Sequence, residues 1–390
     1  MFNSFGVRLI ALALPLTQAL AAPVTPAPAW SGKMQQLSKT LSEIMPDLVS
    51  GKTPDKKAVE RLKEGALSIN RLAHQIDKNA KGKGAPPPDA DPSLALLSTL
   101  FEREAKSALH ALQSGNVEYG KNSLRMVTGY CASCHTRTNH GPQFSDIPAA
   151  QTKGLSKMER AQLMVALRQF DQALAEFEEV IGDTVVAKKR QLEWGRAVRH
   201  AFTIAVRVKQ DPDRALRIVQ KVESLPSTPP LFREFITSWK QSVEEWKKEG
   251  KRSFATEDAL IKEAERLGTA ARNVQKFPMD HSADVLYLRL SLVAHELLTR
   301  YPDGKHVSET LYLLGNAYDL LDDQVISPLP EMYYETCIRR DPHSATAQKC
   351  YSRYESNVYF GYTGSGGTSI PDDLADNMKQ LKELASVKKP

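Results

Sequence analysis

An all-α fold is predicted, with a four-helix bundle followed by a longer array of helix pairs, and three observations carry it. Four stretches between residues 30 and 135 space their apolar side chains alternately three and four apart, which is one face of a helix. Pro and Gly cluster between these stretches. Beyond about residue 155 the helical spacing resumes in paired segments.

The elements follow in order. Arg8 precedes an apolar run, Leu9 to Leu16, and Ala19-Leu20-Ala21 offers the small residues of a cleavage site. Residues 1–21 are therefore expected to be a secretory signal, the alternative being an uncleaved anchor. The run is short for a membrane span, and no other stretch reaches about 18 apolar residues. Residues 22–29, with Pro23, Pro26 and Pro28, read as an extended linker. A bundle is expected over 30–145. Its first helix carries Met34, Leu37, Leu41 and Ile44 and is expected to stop at Pro46. Thr53 and Pro54 read as the cap and first turn of the second, whose stripe runs from Val59 to Ile76. After a Gly- and Pro-rich break, Asp91-Pro92 restarts a third helix, which Gly115 ends. The fourth carries Val117, Leu124, Val127 and Cys131. Short connections between four amphipathic helices favour an up-down-up-down bundle. Periodicity lapses from His140 to Gly154, the expected boundary before a second domain over 155–390.

Composition narrows the function. The 390 residues are 41% hydrophobic and 25% charged, ordinary values for a globular chain. Loss of Arg8 with the signal leaves 51 basic residues (52 less one) against 46 acidic, a net of +5 spread along the chain. Without a dense basic block interleaved with aromatics, nucleic acid is not an expected partner. No nucleophile, base and oxyanion set is visible, so no enzyme is predicted.

In the second half, Phe170 to Phe177 has an Ala-x-x-x-Phe spacing, and Ala215 to Val219 after Asp211-Pro212 echoes it weakly. Tyr301-Pro302 precedes Leu313-Leu314-Gly315-Asn316-Ala317-Tyr318, and Tyr333 to Pro342 resembles a further repeat helix with its terminating Pro. These segments resemble tetratricopeptide repeats, irregularly spaced; a generic helical domain is the alternative. In such arrays each helix pair exposes an apolar face that only the next pair covers.

The chemistry concentrates in Cys131-Ala132-Ser133-Cys134-His135. In a Cys-x-x-Cys-His run two thiols add across the haem vinyl groups, and the adjacent His is placed on the iron. On a helix Cys131, Cys134 and His135 share a face. Zinc would need two further ligands, and only His140 is near. A redox dithiol would open a helix after a strand, whereas this motif closes one. Haem c with its iron is the expected cofactor, and the export signal agrees with attachment outside the cytoplasm, in the periplasm or an equivalent compartment.

Residues 30–140 resemble the class II, cytochrome c-prime group of c-type cytochromes. These are four-helix bundles with the motif near the end of the last helix. The family's usual aromatic after the His is absent here, where Thr136-Arg137-Thr138-Asn139 follows. In an up-down bundle the start of helix one lies beside the end of helix four. Met34 is at that end; Met45, 11 positions on, is about 16 Å away along the axis. Met34 is thus the candidate distal axial ligand opposite His135, with a core methionine as the alternative. Low-spin relatives use a Met in this place, and His/Met ligation suits electron transfer. His74 and His110 read as solvated. Lys33 and Arg125 are near the motif, facing either haem propionates or solvent.

Cys337 and Cys350 flank a bend and are candidates for a disulfide worth about 3 kcal/mol on the chain-entropy estimate. Their unequal distances from the bend oppose it. The leading expectation is single-haem electron transfer with a redox protein partner docked on the repeats. The alternatives are a five-coordinate gas-binding or sensing protein, and a repeat scaffold with a structural or redox haem.

Overall fold

The computed structural model describes residues 29–50, 53–79, 91–137, 144, 152–277, 280–321 and 329–386. The expected signal, most of its linker, His140 and most of the expected boundary at 140–154 lie outside these residues. The described chain is all-α: helices carry it throughout, and the sole strand pairing among described residues is a two-residue hairpin, Thr363–Gly364 with Gly367–Thr368. Among the described residues no helix is long and apolar enough to cross a membrane.

The first four helices are α1 (Ala29–Val49), α2 (Lys56–Asn79), α3 (Pro92–Gln113) and α4 (Val117–His135). Two local expectations need correction. Helix α1 continues through Pro46 to Val49. The missing proline N–H costs one helical bond, but Met45 and Leu48, both buried, hold the last turn against the core. Helix α2 is capped by Asp55 rather than Thr53: the Asp55 carboxylate accepts from the Ala58 N–H at 2.7 Å. Helix α3 begins as read, with Asp91 as N-cap and Pro92 in the first turn. It ends before Gly115, whose φ of 84° is the left-handed conformation glycine adopts most readily. Helix α4 ends on His135, with the Cys-x-x-Cys-His run in its last turns. Each of these helices packs on the next, while α1 and α4 touch only lightly.

Four more helices, α5 (Lys157–Ala166), α6 (Phe170–Gly182), α7 (Thr184–Lys189) and α8 (Gln191–Phe202), lead into a widened π-helical turn, Thr203–Val208. Helices α9 (Pro212–Ser224) and α10 (Pro230–Glu249) follow. Trp194 and Trp239 are wholly buried in the core that this part builds. The remainder comprises α11 (Glu257–Val274), α12 (Asp284–Arg300), α13 (Val307–Tyr318), α14 (Leu329–Arg340), α15 (Ala345–Tyr362) and α16 (Asp372–Ala385). Between α13 and α14 the backbones approach so closely that a Cβ at Gly315 would meet the Tyr334 ring.

The apolar cores divide the chain unexpectedly. One joins α1–α4 to residues from Leu260 onward; the other gathers residues between Met158 and Val243 and adds Val285 and Leu288. The first four helices therefore share their interior with the end of the chain. Cys337, on α14, and Cys350, on α15, are bonded, with Cα atoms 6.4 Å apart. The offset expected to oppose that bond is absorbed because both helices bring these positions into the same buried seam.

Candidate functional site

A narrow cleft of about 30 Å³ lies at one end of α1–α4. Its walls come from six places in the chain: Met34, Leu37, Ser38 and Leu41 on α1, Ile69 on α2, Phe101 on α3, Val127, Cys131 and His135 on α4, Phe144, and Ala166 with Leu167 after α5. Met34 and His135, 101 positions apart in sequence, thus face one space (135 less 34). Met45 is buried but does not line it.

The α5 end is built to meet this cleft. Arg168 takes a left-handed conformation, φ 59°, and closes the helix with bonds from Arg168 N–H to Val165 O (3.0 Å) and Gln169 N–H to Met164 O (2.8 Å). The turn then presents Leu167, whose carbonyl accepts from the Phe144 N–H at 3.3 Å. The Phe144 ring lies 5.8 Å from that of His135. From the same turn Arg168 Nη1 donates to the His135 carbonyl at 3.2 Å.

His135 Nδ1 is buried and makes no well-formed hydrogen bond. Burial, and then the Arg168 charge, push its pKa down to about 4; the carbonyls of Val165 and Ala166 oppose this. The ring is neutral at physiological pH, the form that binds metals. Cys131 and Cys134 are in no disulfide. Burial, and then the neighbouring Cys134, push the Cys131 thiol up to about 12. A redox dithiol needs a depressed thiol pKa, found at helix N-termini and beside cations, whereas this pair sits in the last turns of a helix, where the macrodipole disfavours a thiolate. No group of three or more His, Cys, Asp and Glu suited to a metal ion occurs among the described residues. A haem iron takes its other ligands from the macrocycle. The Cys131 thiol, the neutral His135 imidazole and the Met34 thioether line one apolar cleft, with Cys134 on the same helix but not among its walls; this donor set fits haem c.

Just beyond the motif the chain is tied to distant helices. Asp91, buried at the start of α3, accepts from Ser93 N–H (3.1 Å) and from the Ser93 hydroxyl, and its other oxygen accepts from His295 Nδ1 (2.9 Å). His295 Nε2 meets the Tyr318 hydroxyl at 2.8 Å. Arg137, 3% exposed, donates to Ser93 Oγ, to Tyr333 (2.8 Å) and back to the Ser133 carbonyl (3.2 Å). Tyr333 donates to Asp91 at 3.3 Å. Arg207, on the π turn, donates to the Thr136 carbonyl at 2.6 Å and to Tyr318 at 3.0 Å. Burial alone would raise the Asp91 pKa, but His295 and Arg137 hold the carboxyl well below the usual range. Burial keeps His295 neutral against the pull of Asp91. One ionised carboxylate therefore organises α3, the end of α4, α12, α13 and α14.

Among the other sequence candidates, Arg125 donates to the Leu48 carbonyl (2.7 Å) and Asn122 (2.9 Å), away from the cleft. Lys33 does not line it, and His110 is exposed on α3. His74 is on α2. Sequence reasoning missed Phe144, Ala166 and Leu167 as walls, and Arg168 behind His135. Phe144 falls in the stretch where helical spacing lapses, whereas no signal in the sequence marked residues 166–168.

The chain matches no family model, and comparisons with curated proteins and with solved structures give no match.

Proposed function

We propose that this chain is an exported single-haem c-type cytochrome that exchanges electrons with a protein partner. In this reading α1–α4 form a class II-like bundle and the helices from α5 onward a tetratricopeptide-like array offering the docking surface. The observation that carries it is the convergence of Met34, Cys131 and His135 on one apolar cleft.

Cys131 and Cys134 would hold the haem through thioethers, and His135 and Met34 would be the protein ligands to its iron. When bound, the group supplies a one-electron redox centre. The protein's part is to keep water from it with Leu37, Leu41, Phe101, Val127 and Leu167, and to fix the His135 ring between Phe144 and the Arg168 turn. An apolar shell and a thioether ligand both favour the reduced state. The cleft is a seam as it stands. Helix α1 closes it while packing mainly on α2. The bonds from Arg137 and Arg207 to Ser133 and Thr136 anchor the other wall.

The test is the absorption spectrum of the reduced protein with and without carbon monoxide. A low-spin spectrum indifferent to the gas, converted to a gas-sensitive high-spin spectrum by Met34→Ala, is the expected result. A wild-type spectrum that already shifts with carbon monoxide overturns electron transfer through a Met34-ligated iron. No change on Met34→Ala removes Met34 as the ligand.

A further inference from the structure

Another face of α4 forms a wall of a second, larger cleft of about 480 Å³, within the range of small-molecule sites. It is bounded across the gap by α8, the π turn and α12, and by Tyr318 at the end of α13. Its charge is one-sided. Arg196, Arg199 and Arg207 line it, against a single carboxylate, Asp284, which His281 engages at 3.0 Å. Arg125 also reaches its rim but is committed to Leu48 and Asn122.

Arg207 is the decisive residue. It is 5% exposed, and its hydrogen-bond partners are all neutral: the Thr136 carbonyl and hydroxyl, Ser291 and Tyr318. A guanidinium carries five N–H donors, and these four bonds leave one without an acceptor among the described residues. A buried cation is ordinarily paired with an anion, and among the described residues Arg207 forms no ion pair. Arg196 and Arg199 likewise make no side-chain hydrogen bond or ion pair with described residues. Their field, after burial, is what holds His200 on the same wall down at about 4. The π turn that delivers Arg207 is a rare backbone form that is frequent at functional sites. The rest of the lining is mixed, with Thr128, Gln162 and Thr203 beside the apolar Met126, Phe202 and Leu288.

We propose that this cleft binds a small organic anion, with a carboxylate or phosphate head held by Arg207 and Arg199 and an apolar body against Phe202 and Leu288. The planar fork of Arg199 matches the oxygens of both head groups, and Arg207 adds its charge and its remaining N–H. The site does not rest on the haem reading, since it uses none of Cys131, Cys134, His135 or Met34. It shares α4 with that cleft, through Ala132, Ser133 and Thr136.

Calorimetric titration of the whole mature protein tests it with phenyl phosphate, benzoate, inorganic phosphate and benzyl alcohol as probes. Phenyl phosphate or benzoate should bind at least about 10-fold more tightly than benzyl alcohol, the worth of one charge-assisted bond. Either should also exceed inorganic phosphate, which has the head without the body. Arg196→Gln with Arg199→Gln should weaken the organic anions about 10-fold or more with an unchanged circular dichroism spectrum, because neither side chain makes a hydrogen bond or ion pair with a described residue and Arg199 acts on Asp284 through its charge alone. Met126→Glu, at a 42% exposed position, should weaken them by adding a negative charge to the wall. Absence of binding by both organic anions, equal binding of benzyl alcohol, or unchanged affinity in the double variant overturns the proposal.

Discussion

Replacing Asp91 by alanine is the perturbation that most directly probes how the motif-bearing helix is held. Besides the Asp91 bonds with His295 and Tyr333, the change removes two things whose cost can be worked out. The first is the N-cap of α3, the bond from the Ser93 N–H, worth about 1 kcal/mol. The second is the counter-charge of Arg137, whose guanidinium lies 3.9 Å from the Asp91 oxygen and is 3% exposed. Leaving such a cation buried and unopposed costs about 3–5 kcal/mol, so the total expected loss is about 4–6 kcal/mol. Asp91→Asn keeps an acceptor for Ser93 and Tyr333 but faces His295 Nδ1 with a donor; a tautomer exchange relieves that clash, so its cost should be smaller than alanine's. Urea unfolding of the protein followed by circular dichroism measures both. A loss below about 1 kcal/mol for Asp91→Ala would refute a dry, ionised network, because that is the worth of a solvated pair. The pH dependence is a second readout. A carboxyl with a depressed folded pKa contributes its full stabilisation above the unfolded value of about 3.9, and the contribution is lost as pH falls from there toward the folded value. The wild type should therefore lose stability more steeply below about pH 4 than Asp91→Asn does.

Other consequences are equally direct. Gly315→Ala should cost about 1–3 kcal/mol, because the new methyl group meets the buried Tyr334 ring and neither helix can yield cheaply; the urea midpoint reads it. Cys337→Ser with Cys350→Ser, which opens a loop of sequence separation 13, should cost about 3 kcal/mol, and reductant should then have no further effect on the midpoint. His200 is held down at about 4 by burial, then by Arg199 and Arg196. Its unfolded form therefore binds a proton below about pH 6.5 that the folded form refuses, and stability falls between about 6.5 and 4. His200→Leu should flatten that limb of a pH series of thermal melts; an unchanged limb would mean the ring is solvated.

Local features of this chain were legible because they are local. Asp91-Pro92 announces a helix start wherever it lies, and Gly115 announces a stop. The three-and-four spacing from Val59 to Ile76 forces one apolar face. Pro46 was misleading for the same reason: its missing donor is a local cost, while the burial of Met45 and Leu48 that outweighs it is tertiary. Thr53 lost the capping role to Asp55 over a difference of two residues, the usual uncertainty of helix ends.

By itself the sequence determined the helical class, the position of Cys131, Cys134 and His135 in the last turns of a helix, and the choice of Met34 over Met45 as the residue near them. Those follow from periodicities of a few residues and a fixed rise per residue. Only the tertiary structure decided that Met34 and His135 line one cleft, that Phe144 and the Arg168 turn close it, and that Cys337 meets Cys350. It alone joined Asp91 to His295 and Arg137 to Tyr333, contacts 204 and 196 positions apart, and left Arg207 buried with neutral partners. No pattern in a single sequence encodes such pairs, because a buried charge selects its partners by which helices pack together, and that selection is made by the shared apolar core of the first four helices and the end of the chain.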